Sequence, residues 1–152
     1  MGYPYVGLAP LLLITACSSP ATPAVAPRTS PPPLIGALNP AVIQATIKTT
    51  VCRSGWTATI RPPVKYTNTL KLRQLPKGAD PKAYEEDHLI PLSLGGAPKD
   101  PANLRPIPLD RAKKDDVVET RLHKQLCAGT ITLAQAQLAI SQVKADESSS
   151  AP

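Results

Sequence analysis

The residue types best suited to chemistry stand together near the middle of the chain. The run Glu85-Glu86-Asp87-His88-Leu89-Ile90-Pro91-Leu92-Ser93-Leu94-Gly95-Gly96 is followed, after six intervening residues, by Asn103-Leu104. Hydrolysing a phosphodiester needs a base to activate water, a cation to neutralise the phosphate and leaving oxygen, and rigid positioning of both. A carboxylate next to a histidine can divide the first two tasks. Neighbouring side chains on a strand point to opposite faces, so Asp87 and His88 can serve one site only where the strand bends or bulges. At such a bend Asp87 holds a metal while a neutral His88, with a pKa near neutrality, faces water. An isolated Asp-His pair is usually an ordinary surface or core feature; the string through Asn103 is what raises it above one. Asn103 also reads as a turn residue bonding its own loop.

Elements able to position these residues can be read around them. Tyr84 to Leu94 is apolar-rich but broken by Pro91, and Gly95-Gly96 follows, so a strand, a bend and a second strand suit it better than a helix. Asp110 is a plausible N-cap for a helix to about Leu126, with Asp115 and Asp116 near its positive end. On it Val118, Leu122 and Leu126 should face the core. Asp116, Glu119 and His123 share another face at i, i+3 and i+7. Each reads first as a solvated helical residue and second as a metal ligand. Gly129 ends that helix, and Thr132 with Gln135 forms a capping box for a last helix through about Val143. Upstream, Thr57 to Ile60 alternates like a strand and stops at Pro62-Pro63, while Thr67 or Asn68 can cap a short helix carrying Leu70, Leu72 and Leu75.

Composition sets limits on this arrangement. The chain has 152 residues, 19 of them Pro, with one Trp and no Phe. Ser18 to Pro33 is Pro, Ala, Ser and Thr, an extended spacer that cannot bury apolar area, and Leu34 to Thr46 is a transition segment. About 100 residues remain for one compact domain whose core must be Leu, Ile, Val and Ala, with Trp56 as an anchor. Between Lys48 and Lys144 sixteen basic residues face nine acidic ones, a net +7 that favours polyanions or simply solubility. Arg61, Lys65, Lys71, Arg73, Arg105, Lys113 and Lys114 are the candidate phosphate contacts as a group.

Val6 to Ala16 is an apolar run of signal-peptide length, too short for a membrane span. It ends in Ile14-Thr15-Ala16-Cys17, which resembles a bacterial lipobox, although no Lys or Arg precedes the run; an ordinary cleaved signal and a structural segment remain open alternatives. An exported chain lives in an oxidising compartment, where the two remaining thiols, Cys52 and Cys127, tend to pair rather than stay free. On the chain-entropy account that closure contributes about 4 kcal/mol. Two widely separated cysteines lack the short paired spacing of a thiolate zinc site.

Asp-His-Leu-Ile-Pro-Leu-x-Leu-Gly-Gly followed by Asn-Leu resembles the HNH, or ββα-metal, endonuclease motif. The chain is more closely similar to exported bacterial HNH-like proteins, through Cys52-Arg53-Ser54-Gly55-Trp56, Arg61-Pro62-Pro63, Cys127-Ala128-Gly129 and Ala134-Gln135-Ala136-Gln137. The likeness spans about Val51 to Ile140. It implies an α+β fold with a hairpin-plus-helix metal site, Asp87 as ligand to one divalent ion (Mg, Mn or Zn), His88 as general base, and Asn103 fixing the loop between hairpin and helix or orienting His88. The family's helical His or Asn falls at Ala112 here, so Asp116, Glu119 or His123 must complete the site; Arg105 stands where an aromatic residue is common. The expected organisation is a signal peptide at 1–16, a lipidated Cys17 and linker over 17–47, a nuclease domain over 48–144 and a disordered tail at 145–152. The expected function is a monomeric, membrane-anchored envelope nuclease acting on DNA, with RNA second. The alternative is a non-catalytic envelope lipoprotein whose degenerate scaffold binds a polyanion or a protein.

Overall fold

A computed structural model describes residues 1–2 and 33–149, with side chains as far as Asp146. The signal segment beyond Gly2, Cys17, most of the spacer and residues 150–152 lie outside the described residues. The packed part is mixed helix and a small sheet. In order it contains helices α1 (Trp56–Ile60) and α2 (Val64–Gln74), strand β1 (Tyr84–His88), strand β2 (Leu104–Pro108), and helices α3 (Leu109–Ala128) and α4 (Leu133–Ser149). No helix among the described residues is long and apolar enough to cross a membrane.

β1 and β2 pair antiparallel, with Tyr84 opposite Pro108 and His88 opposite Leu104. The strand expected just after Pro91 is instead a 3-10 turn, Leu92–Leu94, and β1 finds its partner beyond a loop over 89–103. Two prolines hide β2 from a sequence reading. The Leu89 N–H to Asn103 C=O bond of 2.8 Å sets the ladder so that Asp87–Arg105 and Glu85–Ile107 exchange bonds. Pro106 and Pro108 then fall where no N–H is needed, the position that lets proline sit in a strand.

One carboxamide organises the 89–103 loop. Asn103 has no exposed surface; its Oδ1 accepts from the Ile90 N–H at 2.8 Å, and its Nδ2 donates to the carbonyls of Ile90 and Ala97 at 3.0 and 2.9 Å. A Cβ on Gly96 would stand 1.7 Å from the Ile90 carbonyl oxygen, so only glycine lets the loop fold this tightly. The turn carries Ile90 and Leu94 into a core shared with Val42, Ile47, Val51, Leu122, Leu126, Leu133, Ala136 and Ile140. Val118 and Trp56 pack at its edge, and the Cys52–Cys127 disulfide staples it across a Cα–Cα distance of 5.5 Å.

Several boundaries move. Residues 35–47 pack onto the fold and do not belong to a linker: Val42 and Ile47 are buried, Ile35 N–H donates to Ser141 Oγ, and Leu38 bridges Gly96. Residues 145–149, expected as disordered tail, continue α4. The Thr57 to Ile60 stretch is helical, and its half-buried residues, Trp56, Thr57 and Ile60, follow a helical period. α2 begins a turn early, at Val64 after Pro63, and leaves Leu72 exposed. Pro108, not Asp110, is the N-cap residue of α3, while Gly129 ends that helix in the left-handed region. The Thr132–Gln135 capping box is formed in both directions, at 2.8 and 3.2 Å.

Replacing Asn103 by Ala leaves three buried backbone groups without partners. The expected loss is about 3 kcal/mol or more, read as a fall of more than about 10 °C in Tm. A variant melting within a degree or two of wild type would show that the clamp is dispensable.

Candidate metal and acid-base site

β1 has a partner on one edge only, so side chains from both its faces reach a cavity along the other edge. The cavity has a volume of about 520 Å³. Glu85, Glu86, Asp87 and His88 form its floor, and Asp116, Glu119 and Thr120 of α3 one wall. Thr57, Arg61, Thr67, Asn68 and Lys71 of the α1–α2 segment and Ser93 also line it. Strand alternation divides the floor. Glu85 and Asp87 share one strand face, and Glu86 and His88 the other.

His88 is buried, with 7% of its surface exposed, and its Nε2 lies 3.1 Å from the Pro98 carbonyl. A carbonyl only accepts, so Nε2 carries the proton and Nδ1 the lone pair. Burial, the largest influence, pulls the imidazole pKa below its usual value, against the raising effect of the Pro98 carbonyl and Asp87; Arg61 and Lys144 lower it further. The ring is therefore neutral at pH 7, the state a general base needs.

The carboxylates show the opposite strain. Burial and then Asp87 raise Glu85. Burial also raises Glu119, even though Ser93 Oγ donates to its Oε1 at 2.5 Å. Glu86 is pushed up to about 7, first by burial; Lys71 opposes the shift and Asp87 adds to it. Both Glu86 carboxylate oxygens are buried with no hydrogen-bond partner among the described residues. Five carboxylates around one cavity, three of them resisting ionisation, form a hard, all-oxygen donor set. By oxygen type these groups suit Mg²⁺ or Mn²⁺ better than Zn²⁺, which favours nitrogen and sulfur, but no three of them bring their oxygens within 4.8 Å of one another, so they would have to draw together to hold an ion.

Of the helical candidates, Asp116 and Glu119 reach this cavity and His123 does not. Positions i and i+7 share a face, yet they stand about 10 Å apart along the axis. That carries His123 to the disulfide, with its Nε2 2.9 Å from the Val51 carbonyl and 3.4 Å from Cys127 Sγ. Cys52, His123 and Cys127 could together offer metal ligands, but the two sulfurs are bonded to each other here. Asn103 does not line the cavity; its amide is spent on the loop.

The cationic candidates also separate. Arg61 and Lys71 line the cavity, and Lys71 Nζ is committed to the carbonyls of Pro81 and Tyr84 at 2.9 and 2.8 Å. Lys65 and Arg73 lie on a different face of α2, beside Tyr66, Leu70 and Pro101. Lys113 and Lys114 are exposed on α3, away from the cavity lining. Arg105 is half-buried and donates to the Lys144 carbonyl at 3.2 Å, so it turns away from the cavity.

Lys144 is the residue that a reading of the sequence missed. Only 2% of its side chain is exposed; its ammonium donates to Asp87 Oδ2 and, at 2.9 Å, to the His88 carbonyl, and it lies 3.5 Å from Asp115 Oδ2. A signal for it existed: Leu133, Ala136, Gln137, Ile140, Ser141 and Lys144 form one continuous buried stripe of α4 at helical spacing.

The chain matches no known family model, no curated protein and no solved structure.

Glu86 offers a check in the metal-free protein. Its folded pKa of about 7 lies above the ordinary 4.5, so between those values the folded state binds the extra proton, and stability falls as pH rises through that window. Glu86→Gln should leave Tm unchanged near pH 4 and raise it near pH 8. An identical difference from wild type at both pH values would show that the carboxyl is not held protonated by its surroundings.

Proposed function

We propose that this chain is a metal-dependent endonuclease of the HNH, or ββα-metal, kind that hydrolyses phosphodiester bonds of DNA or RNA. The observation that carries the reading is one cavity shared by a neutral imidazole and a crowd of under-compensated carboxylates, built on a strand pair followed directly by a helix.

In this reading His88 Nδ1 takes a proton from water and directs the hydroxide at phosphorus. Its Nε2 hydrogen bond to Pro98 keeps the ring in the competent tautomer. Asp87, Asp116 and Glu119, with Glu86 nearby, would hold one divalent ion, which when bound supplies Lewis acidity to the phosphate and to the departing 3′ oxygen. Arg61, exposed on the cavity lining, steers the phosphate, and Asn103 positions the loop that bears Ser93. The +7 balance of the domain draws a polyanion toward a cavity that is itself acidic, a conflict which the cation resolves. Tethering through Cys17 would place the enzyme at the cell envelope as a monomer.

One observation favours a second reading, a scaffold that binds without cutting. The helix position where the resemblance calls for a ligand is buried Ala112, and Asp87 is already paired with Lys144. Plasmid nicking separates the two. With Mg²⁺ or Mn²⁺ the purified protein should relax supercoiled DNA, EDTA should abolish this, and His88→Ala should slow it by about 100-fold or more. Arg61→Ala should weaken DNA binding without removing the divalent requirement. If neither DNA nor RNA is cut with Mg²⁺, Mn²⁺ or Zn²⁺, the binding scaffold is the correct reading.

A further inference from the structure

The disulfide has a neighbour able to bind metal. Cys127 follows His123 by four residues on α3, so both side chains leave one face of the helix a single turn apart. Cys52 comes to them from the segment before α1, where its N–H donates to the Ile47 carbonyl at 2.9 Å. One ligand atom from each of Cys52, His123 and Cys127 lies within 4.8 Å of the other two. His123 Nε2 stands 3.4 Å from Cys127 Sγ. In a tetrahedral zinc site, Zn–N and Zn–S bonds of about 2.0 and 2.3 Å set nitrogen and sulfur about 3.5 Å apart, so this edge of such a site is already in place. All three residues are half-buried, which leaves solvent a way in, and none of them lines the acidic cavity. Lys48, whose ammonium donates to the Cys127 carbonyl at 2.9 Å, adds positive charge that favours a thiolate there.

We propose that Cys52, His123 and Cys127 form a zinc site when the disulfide is reduced, so that a metal ion takes over the staple between the segment before α1 and the end of α3. Reduction by a phosphine consumes one water molecule, whose oxygen goes to phosphorus and whose two hydrogens go to the two sulfurs. A cellular dithiol does the same by exchange and ends as its own disulfide. Zn²⁺ then displaces two protons to solvent, one per thiol, and the two thiolates neutralise its charge. The metal-bound imidazole keeps one N–H. With Nε2 on the ion that hydrogen is on Nδ1, and the Val51 carbonyl, 2.9 Å from Nε2, takes its hydrogen bond from solvent. Water completes the four-coordinate shell, and two sulfurs with one nitrogen select Zn²⁺ over Mg²⁺ or Ca²⁺. A small disulfide reverses the sequence: the two thiolates pass it two electrons, the Cys52–Cys127 bond re-forms, the oxidant becomes two thiolates and the ion leaves.

The test is Co²⁺ and Zn²⁺ binding to the purified full chain, oxidised and phosphine-reduced, with H123A beside wild type. Reduced wild type should give the thiolate-to-metal charge-transfer band and the intense visible absorption of tetrahedral Co²⁺, saturating at one ion per chain, and Zn²⁺ should abolish both. The oxidised chain should show neither, since an ion held by carboxylates alone gives no thiolate band. Loss of an outer partner of a metal ligand costs about 10- to 100-fold, so reduced H123A, which loses a ligand itself, should bind at least about 100-fold more weakly. A small disulfide added to the zinc-loaded chain should release the ion. Absence of the thiolate band in the reduced wild type overturns the proposal. So does H123A binding as tightly as wild type, because two thiols are then gripping the ion without the imidazole. Circular dichroism covers the case in which reduction unfolds the metal-free chain: Zn²⁺ should then refold wild type and not H123A, and refolding of both, or of neither, overturns the proposal.

Discussion

The fold depends on satisfying the backbone of a long inward-folded loop with one buried side chain. Between β1 and β2 the chain must turn through the interior, where unpaired N–H and C=O groups are costly. Asn103 offers one acceptor and two donors, and all are used on Ile90 and Ala97. The clamp fits only because Gly96 carries no side chain. From it follow the burial of Ile90 and Leu94, the docking of residues 37–39 on the 95–97 turn, and the placing of the Pro98 carbonyl against His88. A core with almost no aromatic residues is thereby closed by a polar bond network and a disulfide as much as by apolar area.

Charge is unevenly placed. The domain carries a net positive charge, the cavity is lined by five carboxylates, and the buried Lys144 pairs with Asp87 and Asp115. The buried Lys144 is tolerable because Asp87, Asp115 and the His88 carbonyl replace the water it has lost. Glu85, Glu86 and Glu119 are less fully compensated, and their raised proton affinities record it. Proteins keep such uncompensated groups where a ligand supplies the missing charge, which is why the cavity, and not the basic surface, directs the functional reading.

Particular elements show what could be read in advance. The long helix through Leu122 and Leu126, its stop at Gly129, and the Thr132–Gln135 capping box were legible because their signals are local and periodic. The strand–helix order around Asp87 and His88 was legible from Pro91 and Gly95-Gly96, though the second strand was misplaced. β2 contains Pro106 and Pro108, and its identity depends on which amides face the neighbouring strand. The segment over 35–47 reads as linker because it continues from the Pro-rich stretch and its many apolar residues follow no clear period, yet Val42 and Ile47 fill space left by distant helices. Angle around the helix groups His123 with Asp116 and Glu119, and axial distance separates them.

The sequence by itself determined which residues carry reactive groups, that the long helix stops at Gly129, and that the next one opens on the Thr132–Gln135 box, because these follow from residue type and short spacing. Only the tertiary structure decided which of those groups meet. It sent His123 to the disulfide and Arg105 away from the cavity, and brought Lys144 from the last helix to Asp87. Those outcomes depend on separations in space between residues far apart along the chain, which no local pattern encodes.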